Sequence, residues 1–195
     1  KKDVPYSSII QAFQFIVKQI LLESNEMIEK WSHLLKEALG SNAKIISDVI
    51  PDIELIIGKP SDVAILSGEE ARNRFQFVFK NFVKIFATFE HPLVIFLDDL
   101  QWVDSASIDI IKLIMSDPEI SHLLLICAYR DKEIDFSDPF MMVIDNLRNN
   151  KVIINEIGIG PISKDDVNKL ISVLLHCSFS DSIQLAELVH KKTNG

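Results

Sequence analysis

Cysteine is scarce in this chain: the 195 residues carry two, Cys127 and Cys177, each in an apolar stretch without a second Cys or His at ligand spacing. That argues against a disulfide framework and a zinc site, and it fits a reducing, cytoplasmic compartment. Glycine and proline are also few, at 6 and 7, which excludes a collagen-like chain or a bare linker. Positive charge is in deficit, because 20 Lys and Arg face 28 Asp and Glu for a formal net charge of -8. Duplex DNA and anionic membranes both need a cationic face, so no direct nucleic-acid or membrane partner is expected. Long hydrophobic runs are missing as well. The longest near-continuous ones, such as Leu93–Leu97 and residues 123–128, fall far short of the roughly 20 residues that span a bilayer. Repeats of fixed period and low-complexity tracts are absent, and the five histidines lack an i, i+4 partner for a metal.

With 48% of residues hydrophobic and 25% charged, the chain can bury one sizeable core and a small appended lobe. Over residues 6–22, Ile9, Ile10, Phe13, Ile16, Val17, Ile20 and Leu21 recur at steps of three and four, which predicts a helix with one buried face. Asn25 is the expected cap of a second helix that Gly40 ends, and a third short helix is expected over residues 42–50, before Pro51. Ser67 and Glu70 form a predicted capping box for a helix whose stripe is Phe75, Val78, Phe79, Phe82, Val83 and Phe86. A phenylalanine stripe at that spacing reads as core.

The period then changes. Leu93–Leu97 is apolar without alternation, as in a strand of a parallel sheet buried on both faces, with helices on either side. Asp104 or Ser105 is expected to cap the next helix, residues 122–128 to form a second strand, Asp138 and Pro139 to start another helix, and residues 151–156 to form a third strand. Strand and helix alternating at these spacings predict right-handed crossovers in an α/β sheet. After Pro161 the pattern is helical only, with Ser163 and Asp166 capping one helix and a last helix running from about residue 180 to 192. The division expected is therefore a core over residues 1–160, with a helical insertion at about 23–66, and a helical lobe over 161–195.

Two places carry chemistry. The strand at 93–97 delivers consecutive carboxylates, Asp98 and Asp99, followed by Leu100, Gln101, Trp102, Val103 and Asp104. Acidic residues at the carboxyl end of a parallel strand sit where such sheets bind ligands, and adjacent carboxylates there are best compensated by a cation such as Mg2+ or by a proton. In nucleoside triphosphate chemistry the first would hold hydrated magnesium and the second would polarise the attacking water. The competing reading is that the pair only begins a loop and caps the next helix. At the end of the second strand, Arg130 would lie beside the acidic pair if the strands are neighbours, able to reach a terminal phosphate or to make an ordinary ion pair with Asp98, Asp131 or Glu133.

The strand followed by Asp98-Asp99-Leu100-Gln101-Trp102-Val103-Asp104, and the later run Ala128-Tyr129-Arg130-Asp131-Lys132-Glu133, resemble the AAA-type ATPase module of the signal-transduction (STAND) class of P-loop NTPases, including its origin-recognition-like members. The opening from Asp3 to Phe13 and the stretch from Arg72 to Phe79 are similar to the version in large bacterial sensor kinases, where serine/threonine kinase, sensory and histidine kinase domains accompany the ATPase. The resemblance implies a P-loop NTPase-like parallel sheet flanked by helices, with a C-terminal helical lid starting after Pro161. It implies ATP and Mg2+ as ligands, with Asp98 as the Walker B magnesium ligand, Asp99 as water activator and Arg130 as sensor 1. It further implies a nucleotide-controlled switch, contacts with kinase or sensor domains of the same polypeptide, and nucleotide-dependent oligomerisation.

One departure bears on all of this. The phosphate-cradling pattern G-x-x-x-x-G-K-[ST] is absent, since Gly58-Lys59 is followed by Pro60 and lacks the motif's upstream glycine. In the family that loop precedes the opening segment seen here. The expectation is a piece of a longer polypeptide whose first strand and phosphate loop lie upstream, so that these residues alone bind triphosphate weakly or not at all. Two further classes compete with the switch: a STAND-like scaffold without turnover, and a phosphoacceptor receiver domain. The receiver fits poorly because Gln-Trp follows the acidic pair.

Overall fold

A helix with one apolar stripe needs a second apolar surface, and for the first helix the phenylalanine stripe of residues 75–86 supplies part of it. The computed structural model describes residues 5–134 and 138–194, so Asp3 and Val4 of the opening motif and the terminal Gly195 lie outside the described residues. The chain divides into two units, Lys1–Ile153 and Ile154–Gly195.

In the first unit, helix α1 (Ser7–Ile20) buries Ile9, Ile10, Phe13, Val17 and Ile20, as its periodicity predicts. Helix α2 (Asn25–Leu39) is capped by Ser24, whose hydroxyl accepts from the Met27 amide, and not by Asn25, which is its first helical residue. Gly40, at φ 49°, ends it in the left-handed region that glycine enters without a Cβ clash. Short helices α3 (Ala43–Ser47) and α4 (Glu54–Ile57) flank a 3-10 turn at Pro51–Ile53. Helix α5 (Gly68–Phe86) carries the phenylalanine stripe, and Phe13 of α1 lies 5.3 Å from Phe79 and Phe82 and 5.8 Å from Phe86, ring centre to ring centre. Such pairs add about 0.5–1.5 kcal/mol each to what burial of the rings contributes. The predicted capping box is not made: Ser67 stands at the N-cap with no side-chain bond, and the first helical residue, Gly68, sits at φ 59°, outside helical backbone geometry.

Strands β1 (Leu93–Leu97) and β2 (Leu123–Cys127) pair in parallel, in register from Leu93 with Leu123 to Leu97 with Cys127. Helix α6 (Ser105–Met115) is the crossover between them, and helix α7 (Pro139–Asn149) follows β2. The fold is thus α/β, mostly helical with a small parallel sheet of two strands among the described residues. Ion pairs clasp helix α5 to α6 and to the loop that follows it, Arg72 to Asp109 of α6, and Lys80 and Lys84 to Asp117 of the loop at 2.8 and 3.5 Å. The Lys80 hydrogen bond holds the Asp117 carboxyl below its usual range.

Two expectations about the sheet are corrected. Burial on both faces does not hold: Leu93, Ile95 and Leu97 are buried, while Val94 and Phe96 are 55% and 59% exposed. Strand side chains alternate, and the parallel register sets Leu124 and Ile126, also exposed, beside them on the uncovered face. Helices therefore do not cover both sides of the sheet in the described residues. The third strand at 151–156 does not form either. Lys151 turns left-handed at φ 63° and the Val152 amide returns to the Leu147 carbonyl at 3.0 Å, so that amide closes α7 and is unavailable to a ladder. Ile153 beyond it is 86% exposed.

The second unit holds helices α8 (Lys164–Leu175) and α9 (Phe179–Thr193) packed on each other. Ser163 caps α8 through the Asp166 amide as its sequence predicts, and Ser178 caps α9 in the same way. Between the helices, buried Asn168 accepts from the Ser182 hydroxyl at 2.6 Å and donates to the Phe179 carbonyl at 2.9 Å. No helix among the described residues is long and apolar enough to cross a membrane.

Candidate functional site

The site begins where β1 runs out of apolar residues. Asp98 directly follows the strand and is exposed, and Asp99 comes next at φ 54°, ψ 42°, a left-handed conformation that Asp tolerates better than most residues. That turn opens a 3-10 segment at Leu100–Trp102, in which the Trp102 amide donates to the Asp99 carbonyl at 2.9 Å. The buried Leu100 anchors it, its amide donating to the Ala128 carbonyl at 3.0 Å while the Ala128 amide returns to the Leu97 carbonyl at 2.9 Å. Two hydrogen bonds beyond the ladder therefore lock the carboxyl end of β1 to that of β2.

This locking brings Arg130 to the acidic pair. Its Nε is 3.9 Å from Asp99 Oδ1, and its terminal nitrogen is 3.1 Å from Glu133 Oε1. Both the neighbour relation and the ordinary ion pair read from the sequence are thus present, with Glu133 holding the shorter contact. Asp98 Oδ1 accepts from the Asp99 amide at 2.9 Å. Gln101 joins the group in a way that spacing did not disclose: its Nε2 donates to Asp99 Oδ1 at 2.9 Å, and its Oε1 accepts from the Arg130 amide at 3.4 Å. Only knowledge that β2 adjoins β1 could have revealed it. Trp102 is exposed, and with Gln101 and Glu133 it lines a shallow cavity of about 340 Å³.

Asp104, the last acidic residue of the motif, is turned to another task. It caps α6, accepting from the Ser107 amide at 2.9 Å and the Ser107 hydroxyl at 2.6 Å, and it accepts the Tyr6 amide at 3.3 Å. Burial works against its ionisation, but these hydrogen bonds outweigh burial and hold the carboxyl below its usual range. At the end of β2, burial pushes the Cys127 thiol up to about 11, so it stays protonated at neutral pH and is no nucleophile.

Among the described residues no group of three or more His, Cys, Asp or Glu could enclose a metal ion. The donor set nevertheless suits magnesium, which keeps most of its waters and takes one or two carboxylates together with substrate phosphate oxygens. Asp98 and Asp99 are solvent-facing carboxylates at one strand end, each with an oxygen outside the bonds described above.

The chain is similar to hybrid signal transduction histidine kinase G of Dictyostelium discoideum, with 28% identity over an alignment of 258 residues that takes in 98% of this chain. It spans 7% of that kinase's length. No solved structure matches the chain significantly. A parallel strand followed directly by paired carboxylates, beside a strand with an arginine three residues past its end, accords with the match of residues 1–126 to the AAA ATPase domain, and the chain belongs to that family.

Proposed function

We propose that this chain is the ATP- and Mg2+-handling part of a STAND-type switch in a cytoplasmic signal-transduction protein, relaying nucleotide state to kinase or sensor domains of the same polypeptide. The observation that carries the reading is the meeting of Asp98, Asp99 and Arg130 at one end of the sheet, with Arg130 Nε 3.9 Å from Asp99. The membership in the AAA ATPase domain family and the likeness to a hybrid histidine kinase support it. We assign the phosphate-cradling loop to residues upstream of Lys1, residues 1–160 to the nucleotide-binding core with its helical insertion at about 23–66, and residues 161–195 to the start of a lid. Nucleotide-dependent oligomerisation belongs to the same proposal.

In this reading Asp98 would hold the metal, which when bound supplies charge neutralisation on the phosphates. Asp99 accepts a proton from the attacking water and fixes its direction. Arg130 leaves Glu133 to contact the terminal phosphate, a planar guanidinium being suited to that bidentate geometry. A second reading, a scaffold without turnover, draws on the same contacts: Arg130 is already engaged by Glu133 and Asp99, and the sequence contains no phosphate loop.

Calorimetry decides between them. The 195 residues alone are expected to show no Mg-ATP binding up to about millimolar nucleotide, corresponding to less than about 4 kcal/mol of binding free energy, whereas a polypeptide with the preceding natural residues binds and hydrolyses it. Tight binding by the 195 residues would overturn the upstream assignment of the cradle. Binding without hydrolysis by the longer polypeptide would favour the scaffold.

A further inference from the structure

We propose that Gln101 is a positioning residue that couples the end of β2 to the carboxylate of Asp99. The inference rests on the reading of Asp99 as the water-orienting group. One primary amide spans the two strand ends, donating through Nε2 to Asp99 Oδ1 at 2.9 Å and accepting through Oε1 from the Arg130 backbone at 3.4 Å. Its orientation is fixed by chemistry. A carboxylate only accepts and a backbone N–H only donates, so a flipped amide would lose both bonds. Few side chains offer a donor and an acceptor on one rigid plane, and Asn at this position would be a methylene shorter.

The consequence for Asp99 is directional. Oδ1 is held by Gln101 with the Arg130 guanidinium alongside, so Oδ2 is the oxygen presented for a proton. The backbone around the pair is stiff, because Leu100, Ala128 and Leu97 tie the strand ends together. The amide of half-buried Gln101 is therefore the adjustable link between the strands. When Arg130 leaves Glu133 to follow a ligand, any shift of its backbone N–H is passed through the Gln101 amide to the rotamer of Asp99. The carboxylate thus becomes responsive to what Arg130 binds.

The test separates this coupling from hydrolysis. In the 195-residue chain, NMR three-bond couplings should report one χ1 rotamer for Asp99. In Gln101→Leu that rotamer should average and the Arg130 amide should exchange with solvent faster, on the order of tenfold for loss of one local hydrogen bond. Gln101→Glu keeps an acceptor for Arg130 but offers Asp99 no donor, so it should disturb Asp99 while leaving Arg130 exchange slow. Circular dichroism confirms that each variant is folded. Unchanged Asp99 couplings in both variants, or unchanged Arg130 exchange in Gln101→Leu, would overturn the proposal. Where the longer polypeptide hydrolyses ATP, Gln101→Leu should lower kcat on the order of tenfold with KM nearly constant, whereas a change in KM alone would count against positioning. If no ATP is hydrolysed while the NMR changes appear, the functional reading falls and the coupling stands.

Discussion

The backbone amide of Tyr6 donates to Asp104 Oδ1 at 3.3 Å, joining residues 98 positions apart in the chain. The same oxygen accepts the Ser107 amide, and Oδ2 accepts the Ser107 hydroxyl, so the carboxylate serves the starts of α1 and α6 together. Tyr6 itself sits at φ 65°, and its ring stacks on Phe75 with 4.4 Å between centres. With both oxygens engaged, Asp104 is the acidic residue of the motif that fixes structure, leaving Asp98 and Asp99 facing solvent.

Replacing Asp104 should therefore cost stability before it costs chemistry. Asp104→Ala removes an N-cap and the tie to Tyr6, an expected loss of about 1–2 kcal/mol, whereas Asp104→Asn keeps one acceptor and should lose less. The carboxyl titrates lower in the folded chain than in the unfolded one. Its ionised form thus favours folding at neutral pH, and that contribution is lost as pH falls below about 4, through the folded pKa. Urea unfolding of wild type and Asp104→Asn at neutral and acidic pH should show a gap that narrows with acidification. A gap that widens would contradict the assignment.

Asp99 poses a backbone question apart from its chemistry. At φ 54° a residue with a Cβ is strained, and Asp and Asn are the side chains that bear it best after Gly. Asp99→Asn and Asp99→Gly should leave the unfolding midpoint nearly unchanged, whereas Asp99→Val should cost on the order of 1–3 kcal/mol. Thermal melts of the three variants check this, and a Val variant as stable as Asn would mean that the turn relaxes out of the left-handed region.

How far the sequence discloses this molecule follows from the range of each interaction. The caps at Asp104, Asp138 and Ser163 are written within three residues, and all three form. The strand at Leu93–Leu97 and its parallel neighbour are legible for the same reason, because an apolar run and a crossover helix are local signals. An apolar run does not say whether a layer covers each face, and Val94 and Phe96 prove uncovered. Pairing is non-local too: residues 151–156 have strand composition, but Val152 spends its amide on Leu147. Ser67 and Glu70 fit a capping box by spacing, but Ser67 makes no cap bond and Gly68 between them takes a positive φ that spacing does not announce. At the site, Asp98, Asp99 and Arg130 can be picked out by residue type, but the Gln101 bridge exists only once the two strand ends are side by side.

The acidic pair should divide by role in the longer polypeptide. Asp99→Asn keeps shape and hydrogen-bonding capacity but cannot take a proton from water, so hydrolysis should fall by roughly two to four orders of magnitude while nucleotide still binds. Asp98→Ala should instead reduce the dependence of nucleotide binding on Mg2+ concentration. Parental hydrolysis rates in both variants would remove the pair from the reaction and leave the scaffold reading.

Arg130 distinguishes a phosphate sensor from a structural cation, and Glu133 sharpens the distinction. As a sensor its guanidinium contacts the terminal phosphate that ADP lacks, so Arg130→Ala should weaken ATP affinity by about 1.5–3 kcal/mol, the usual worth of a hydrogen bond to a charged group, and leave ADP affinity nearly unchanged. In the structure the guanidinium is held by Glu133 at 3.1 Å, an exposed pair worth at most about 1 kcal/mol. Reaching the phosphate means breaking that pair, so Glu133→Gln should strengthen ATP binding by up to that amount while ADP binding stays constant. A structural cation behaves otherwise. Loss of Arg130 would then lower the melting temperature without nucleotide and weaken ATP and ADP alike, and Glu133→Gln would destabilise the chain without favouring either nucleotide. Affinities for both nucleotides and the nucleotide-free melting curve, measured on the two variants, separate these patterns, and equal losses for ATP and ADP would exclude Arg130 as a sensor.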